Sequence, residues 1–351
     1  MTLLVERWPN LSSIPHISLG TFPTATSSMP RLSAIAGAEV WCKRDDLSAS
    51  LYGGNKVRKL EFLLGQARAE GADTLVTTGA AGSHHVLATA LYGRAHGFEV
   101  HAVVMPQEQS AHVEDNLRAD LAAGAVLHPI RSYSLLPVTL AGVVAKLRLS
   151  GRKVFVIGPG GSDASGVLGW IEGGLELGRQ FDSGIVPEPD AVVVALGSGG
   201  TAAGLAVGLA AAGVMTEVVA VRVTPRHLVP KAMLTALSKG VIQRLREIDD
   251  RFPSVGETAA NNLTIEEGFL GEGYGVASGA SREAVRIALE TEGLALDSSY
   301  TAKAMAALLA QARTTRRGKR LLFVHTLSSA PMAPLLASAP LLSRNVRAIL
   351  R

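Results

Sequence analysis

Cysteine is almost absent from this chain of 351 residues, since Cys42 is the only one. One thiol cannot form an intramolecular disulfide, and zinc sites built from several cysteines are excluded as well. Long apolar runs are also lacking: no uninterrupted stretch of about 18 apolar residues occurs, and residues 1–9 contain no apolar core of a targeting segment. These absences predict a cytoplasmic protein without a membrane-spanning helix.

Charged and aromatic residues are scarce too, at 18% and 5% of the chain. The formal net charge is only +4, and so small an excess over a long chain is not the signature of a nucleic-acid-binding protein. Apolar residues reach 47%, which excludes a disordered chain. Glycine is abundant, with 37 residues, and this is typical of proteins whose backbone turns tightly or approaches a ligand closely.

Short β-rich runs alternate with helical runs along the chain. Residues 74–78, 99–105 and 190–196 are examples of predicted strands, and helices of about 10–15 residues are predicted between such runs. This alternation indicates an α/β protein with parallel sheets. The strands are too many for one ordinary sheet, so we expect two doubly wound, open parallel-sheet domains. Residues 187–189, Pro-Glu-Pro, are predicted to form a linker.

The first motif with chemical meaning is Gly-Ser-Gly-Gly-Thr at residues 197–201, between an apolar strand and a helix. Glycines let backbone N–H groups approach an anion, the helix N-terminus adds positive potential, and Ser198 and Thr201 add hydroxyl groups. The motif therefore favours phosphate binding. It lacks the Gly-Lys-Ser/Thr of a P-loop and the glycine spacing of a dinucleotide-binding loop, which disfavours a nucleotide-dependent oxidoreductase.

The second motif, Gly-Gly-Asn-Lys at residues 53–56, places Lys56 in the first turn of a predicted helix over 56–70. The positive end of a helix lowers the proton affinity of an amine, and this helps Lys56 act as a nucleophile. An ordinary surface lysine is the alternative interpretation of its position alone.

The third motif, residues 79–85, follows the strand at 74–78 and contains Ser83, His84 and His85. Adjacent residues do not share a helix face and no third ligand is evident, so we predict a ligand-facing loop and no metal site. The three loops together fit one small ligand that carries a phosphate and needs a lysine. Pyridoxal 5'-phosphate (PLP) meets both requirements, because a lysine forms a Schiff base with its aldehyde.

The sequence resembles the PLP-dependent family that contains 1-aminocyclopropane-1-carboxylate deaminase and D-cysteine desulfhydrase, whose fold is tryptophan synthase β-like (fold type II). The most specific matches are Asn-Lys-x-Arg-Lys-Leu-Glu at 55–61 and Tyr-x-x-Lys-Ala-Met at 300–305. The matching segments occur in family order over almost the whole chain, at 43–47, 53–61, 71–75, 197–204, 274–275, 297–305 and 323–326.

The resemblance implies a large PLP-binding domain formed by 1–50 plus 163–351, a small domain at 51–162, a cofactor cleft at the carboxyl ends of the strands, and a homodimer. It implies that the catalytic residues are Lys56, Ser83, Tyr274 and Tyr300. It further implies that the cofactor-binding residues are Lys56, Asn55, His84, Ser198, Gly199, Gly200, Thr201 and Thr326.

Lys56 would form the Schiff base, and Thr326 would lie near the pyridine nitrogen. A neutral hydroxyl there leaves the ring a weak electron sink, which favours β-elimination over transamination. The implied activity is that of a PLP-dependent lyase or deaminase acting on a small amino acid, like D-cysteine desulfhydrase, with release of a keto acid and ammonia. A repurposed binder that kept the fold is another possibility, and the presence of Lys56 favours catalysis over it.

The chain departs from the family pattern at four places. His84 replaces the usual Asn, and residues 327–328, Leu-Ser, replace a glycine pair, which suggests a substrate other than D-cysteine or the cyclopropane acid. Thr301 replaces the Glu of the deaminase and Gly161 its Cys, which argues against cyclopropane ring opening. Deaminase-like ring opening and a specialised PLP enzyme of secondary metabolism remain the alternatives.

Overall fold

The computed structural model describes residues 1–350, which form two compact units. The first unit comprises Met1–Ile14, Gly20–Lys59 and Ser162–Ser329, and the second comprises Pro15–Leu19, Leu60–Gly161 and the segment from Ala330 onward. Each unit has its own sheet. None of the helices within residues 1–350 combines the length and the apolar character needed to cross a membrane.

Within residues 1–350, ten strands form the two sheets. They are β1 (Thr26–Ser28), β2 (Glu39–Lys43), β3 (Thr74–Ala80), β4 (Glu99–Met105), β5 (Val126–Pro129), β6 (Val154–Ile157), β7 (Ala191–Leu196), β8 (Glu217–Arg222), β9 (Leu263–Glu266) and β10 (Arg320–Val324).

Fourteen α-helices are found within residues 1–350. They are α1 (Leu3–Arg7), α2 (Pro30–Ala36), α3 (Asn55–Ala69), α4 (His84–Ala95), α5 (Ala111–Ala122), α6 (Leu136–Leu149), α7 (Leu168–Asp182), α8 (Gly200–Ala211), α9 (Lys231–Ile248), α10 (Gly256–Asn261), α11 (Gly279–Glu292), α12 (Thr301–Arg313), α13 (Ala333–Ala337) and α14 (Arg344–Arg347).

The sheet of the first unit has the strand order β1-β2-β10-β7-β8-β9, and only the short edge strand β1 runs antiparallel to its neighbour. The central strands are apolar along nearly their whole length because helices cover both faces. One face packs against α2, α11 and α12, while α8 packs beside β7 and β8. The carboxyl ends of β2, β7 and β10 therefore lie at one edge of this sheet, and the loops that follow them meet there.

Helices α7 and α8 pack unusually closely, and this fixes the start of α8. A side chain at Gly204 would lie 2.5 Å from Cβ of Trp170, and one at Gly208 would lie 2.3 Å from the carbonyl oxygen of Ile171. Only glycine allows so short an approach between the two backbones. The glycines of α8 thus serve helix packing as well as the loop before it.

The second unit contains a four-stranded, entirely parallel sheet in the order β5-β4-β3-β6. All seven residues of β3 are buried, as expected for a central parallel strand. The parallel α/β architecture predicted from the sequence is confirmed for both units.

Several details of the predicted organisation differ from the structure. Residues 51–59, predicted for the small domain, lie in the first unit, and residues 15–19, predicted for the large domain, lie in the second unit. The predicted linker at 187–189 is wrong, because it lies inside the first unit, where Pro189 O accepts a hydrogen bond from the Thr216 hydroxyl. The predicted large domain included 330–351, whereas the segment from Ala330 groups with the second unit. The physical reason is apolar packing: Leu342, Val346 and Ile349 belong to one cluster with residues of β4 and α5.

Candidate active site

The loop between β7 and α8 forms a cluster of hydrogen-bond donors. Its turn needs Gly199, whose φ is +92°. Ser162 accepts hydrogen bonds from the backbone N–H of Gly200 (3.2 Å) and from Nζ of Lys59 (2.8 Å). The hydroxyl of Ser162 also lies 2.7 Å from Ser198 Oγ, and either hydroxyl can donate in this hydrogen bond.

Lys59 adds a buried amine to this cluster, with 1% of its surface exposed. Burial, and next the neighbouring charge of Lys56, lower its pKa well below the usual lysine range. A Cβ at Gly200 would lie 2.6 Å from Ser162 Oγ and 2.9 Å from Lys59 Nζ, so only glycine keeps the hydroxyl and the amine accessible there. An amine, hydroxyls and backbone N–H groups at the N-terminus of a 12-residue helix suit a phosphate group. We name this set, Lys59, Ser162 and residues 198–201, the anion cradle.

The sequence predicts residues 198–201 of the anion cradle as phosphate-binding, but not Lys59 and Ser162. A signal for Lys59 was present, because it follows Lys56 by three residues and such positions share a helix face. Ser162 carried no comparable signal, because its partners lie more than 30 residues away in the sequence.

Lys56 lies at the beginning of α3, as predicted, although the helix begins one residue earlier, at Asn55. Its Nζ donates to Oδ1 of Asn55 (3.0 Å), and Nδ2 of Asn55 donates to the hydroxyl of Thr201 in the anion cradle (3.0 Å). The indole N–H of Trp170 binds the carbonyl of Asn55. Burial lowers the pKa of Lys56 to about 8, against the smaller opposing effect of Asp297. A substantial fraction of this amine is therefore neutral near pH 8 and able to accept a proton.

A buried ionic cluster holds this first turn of α3. Arg58 forms ion pairs with Asp45 (2.6 Å) and Glu176 (3.0 Å), and Lys43 pairs with Glu176 as well. Burial alone would raise the pKa of Glu176, but the charges of Arg58 and Lys43 lower it to about 2. Two cations and two anions balance, so the cluster is neutral in total and fixes the backbone two residues from Lys56.

The segment that follows β10 closes over residues 53–55. Gly54 has φ +88°, and a Cβ there would lie 2.5 Å from the carbonyl oxygen of Thr326, which accepts the N–H of Asn55 (3.1 Å). The hydroxyl of Ser328 accepts the N–H of Gly53 (2.9 Å). Ser328, one of the departures from the family pattern, therefore has its hydroxyl bound to the turn that precedes Lys56.

Tyr274 and Tyr300 meet within the same unit. Their hydroxyl groups are hydrogen-bonded to each other, and their rings lie 5.8 Å apart in an edge-to-face arrangement. A Cβ at Gly197 would lie 3.0 Å from the ring of Tyr300, so this ring lies against the loop of the anion cradle. The carboxylate of Asp297 accepts the N–H groups of Tyr300 (2.7 Å) and Thr301 (3.0 Å), and this cap fixes where α12 begins.

Ser83 and His84 belong to the second unit and are described within it. Ser83 is the N-cap of α4 and accepts the N–H of Val86. The ring of His84 lies 4.9 Å from that of His112 in the first turn of α5. The neighbouring residue His85 is directed elsewhere, with Nε2 3.0 Å from the hydroxyl of Thr77. The rings of the two adjacent histidines thus contact different residues, as expected for neighbours at the start of a helix.

Comparison with known proteins agrees with this geometry. The family model described as pyridoxal-phosphate dependent enzyme matches residues 17–326. The D-cysteine desulfhydrases of Salmonella paratyphi A and Salmonella newport are each 34% identical, over 90% of this chain and 95% of the relative. A crystal structure of an ACC deaminase homologue superimposes with a TM-score of 0.77 at 28% identity, covering 94% of this chain and 98% of that chain. The chain therefore belongs to the family of pyridoxal-phosphate-dependent enzymes.

Proposed function

We propose that this enzyme is a PLP-dependent lyase or deaminase that removes a β-substituent from a small amino acid, in the manner of D-cysteine desulfhydrase. One observation carries the proposal: Lys56, an amine with a pKa of about 8, is linked through Asn55 to the anion cradle. The D-cysteine desulfhydrase relatives, matched over 90% of the chain, support the choice of reaction.

The residues present fit the cofactor. The anion cradle would hold the phosphate of PLP, with Lys59 and Ser162 joining Ser198, Gly199, Gly200 and Thr201. Asn55, Thr326 and His84 would contact the ring of PLP. When bound, PLP withdraws electrons from the bonds at the α-carbon of an amino acid joined to it, and so makes the α-proton acidic.

Lys56 acts first as the amine that binds the cofactor and then as the base at the α-carbon. Burial lowers its pKa to about 8, so the free amine can accept a proton near neutral pH. The hydrogen bond to Asn55 holds Nζ at the start of α3, and a positioned base of this kind contributes roughly 10²–10⁴-fold to the rate.

Ser83, Tyr274 and Tyr300 complete the proposed site. Ser83 would bind the substrate carboxylate or help move a proton. The hydroxyl groups of Tyr274 and Tyr300 are hydrogen-bonded to each other, and the pair would line the substrate side of the ring and exchange a proton with the substrate or leaving group. Thr326 carries no charge and can only offer a hydrogen bond to the pyridine nitrogen, which favours elimination over transamination.

The alternative activity, deaminase-like ring opening of the cyclopropane acid, is disfavoured by Thr301. Its hydroxyl lies 2.6 Å from Oδ1 of Asp297 and accepts the N–H of Asp297 at 2.8 Å. Thr301 is thus part of the cap of α12, and a neutral hydroxyl used in this way cannot replace an acidic side chain as a proton donor or acceptor.

We also propose a cytoplasmic homodimer. The support for the dimer is the family resemblance. Sedimentation at micromolar concentration is expected to give twice the mass of the chain, and a purely monomeric protein would contradict the proposal.

The test of function is a screen of purified, PLP-loaded enzyme against small D- and L-amino acids, in which pyruvate, ammonia and sulfide are measured. We expect one of these amino acids, with D-cysteine tried first because of the relatives, to release a keto acid and ammonia. Lys56→Ala should remove the absorption band of the bound cofactor and lower turnover by several orders of magnitude, whereas exchange of the exposed Lys239 for Ala should change neither. Wild-type turnover by Lys56→Ala would refute the assignment of Lys56, and a screen without any product would refute the proposed reaction.

A further inference from the structure

Lys303 is a buried cation of the first unit for which the proposed function has no role. It lies in the first turn of α12, three residues after Tyr300, and none of its surface is exposed. Its Nζ donates to the carbonyl oxygens of Leu270 (2.6 Å) and Gly273 (2.8 Å). A buried ammonium group is costly unless hydrogen-bonded, so two short bonds to one loop are a specific arrangement.

The loop held by Lys303 carries Tyr274. It joins β9 to α11 and comprises residues 267–278. At its beginning Glu267 pairs with the buried Arg222 (2.7 Å), and at its end Ser278 caps α11. Between these ends, Lys303 binds the carbonyl of Gly273, the residue directly before Tyr274.

The middle of this loop needs such an anchor. Gly271 and Gly275, on either side of Tyr274, have φ of +67° and +81°, and glycine gives the backbone wide freedom. The hydroxyl of Tyr274 must nevertheless reach that of Tyr300. One turn of α12 provides both contacts, since Tyr300 immediately precedes the helix and Lys303 lies three residues further along the same face.

We propose that Lys303 is a positioning residue that holds Tyr274 against Tyr300, and that proton transfer by the tyrosine pair depends on it. The proposal rests on the proposed function, in which the pair donates a proton to the reacting amino acid. A positioning residue of this kind touches neither the substrate nor the cofactor. Lys303 acts through the carbonyl groups of Leu270 and Gly273.

A double-mutant cycle with the amino acid that the screen identifies as the substrate tests the kinetic part. Lys303→Met should lower kcat by roughly 10–100-fold, as expected for a misplaced catalytic group, with a change in KM below about threefold. In a Tyr274→Phe background the same exchange should lower kcat by less than about threefold, because the group that Lys303 positions is already gone. The exposed Lys239→Met is the matched control and should leave kcat and KM unchanged.

Equal losses of kcat in both backgrounds would overturn the proposal. If Tyr274→Phe alone keeps the wild-type kcat, the role of Tyr274 in the proposed function fails and the positioning role falls with it. If Tyr274→Phe is slow and Lys303→Met is not, only the positioning role fails.

Hydrogen exchange of the cofactor-free protein tests positioning without turnover. Amides at 270–275 should exchange at least about tenfold faster in Lys303→Met, while those of β7 and α8 stay as in the wild type. Unchanged exchange at 270–275 would overturn the proposal. If Lys303→Met does not fold, Lys303→Gln, whose amide can keep one hydrogen bond, replaces it in both measurements. If neither variant folds, Lys303 is required for the stability of the first unit, and the positioning role is refuted.

Discussion

Exchange of Lys59 for Met removes the amine of the anion cradle and should weaken PLP binding selectively. Lys59 donates to Ser162, beside the hydroxyl of Ser198 and the N–H of Gly200. A hydrogen bond to a charged group contributes about 1.5–3 kcal/mol. Its loss should therefore raise the Kd for PLP by roughly 10–150-fold. Methionine keeps much of the side-chain volume, so packing of α3 should change little.

The same exchange should stabilise the cofactor-free protein. The pKa of Lys59 in the folded protein is lowered by burial and by Lys56, whereas an unfolded chain keeps the ordinary value near 10.5. The stability that such a group contributes is present above pH 10.5 and is lost as the pH falls toward its folded pKa. At pH 7 the lowered pKa of Lys59 therefore costs the wild-type apoprotein stability, and Lys59→Met should melt at a higher temperature.

The assay compares two ligands that differ only in the phosphate. PLP and pyridoxal are titrated into the apoprotein by absorbance, and melting is followed by calorimetry at pH 7. Lys59→Met should lose affinity for PLP and keep the wild-type affinity for pyridoxal. Equal losses for both ligands would show that Lys59 acts on the fold instead of the phosphate, and unchanged PLP affinity would refute its place in the anion cradle. Lys239→Met should match the wild type throughout.

Three further changes have definite expected outcomes. Glu176→Gln leaves Arg58 and Lys43 without a balancing charge and should lower the free energy of unfolding by about 3–5 kcal/mol in urea; a loss below about 1 kcal/mol would contradict the ionic cluster. Asp120 is fully buried and burial raises its pKa, so the stability it contributes is complete below its ordinary pKa and is lost as the pH rises. Asp120→Asn should therefore raise the melting temperature at pH 8 more than at pH 4, and equal shifts would count against a protonated Asp120. His84→Asn should shift the absorbance of bound PLP or its pH response, and an unchanged spectrum and turnover would remove His84 from the site.

Local patterns made much of the fold predictable. The strand β4 was predicted with the residues found, because it is a continuous β-rich run between clear turns. The turn between β7 and α8 was predictable, because glycines between an apolar run and a helical run mark such a turn. The order of strands was not, since β2 pairs with β10 across almost the whole sequence and neither strand carries a mark of its partner.

The burial of charged side chains was the second feature that could not be predicted from the sequence. Within the helix predicted over 56–70, the charged residues Arg58, Lys59 and Glu61 are buried. Periodicity treats such residues as solvent-exposed, whereas their burial depends on partners far away in the chain, such as Glu176 for Arg58. Lys59 was missed for this reason, although it lies one helical turn from Lys56.

The pairing of β2 with β10 has a consequence for synthesis of the chain. The N–H groups of Gly53 and Asn55 donate hydrogen bonds to Ser328 and Thr326. The turn before Lys56 therefore acquires these partners only after about 270 further residues have been made. At ribosomal rates of about 5–20 residues per second, this takes roughly 15–55 s. During that interval one edge of β2 has no neighbouring strand, and an open edge invites pairing with other chains. In the nascent protein the turn before Lys56 therefore lacks its partners and the sheet is unfinished, and a ribosome that stalls before residue 320 leaves a product that cannot assemble the site.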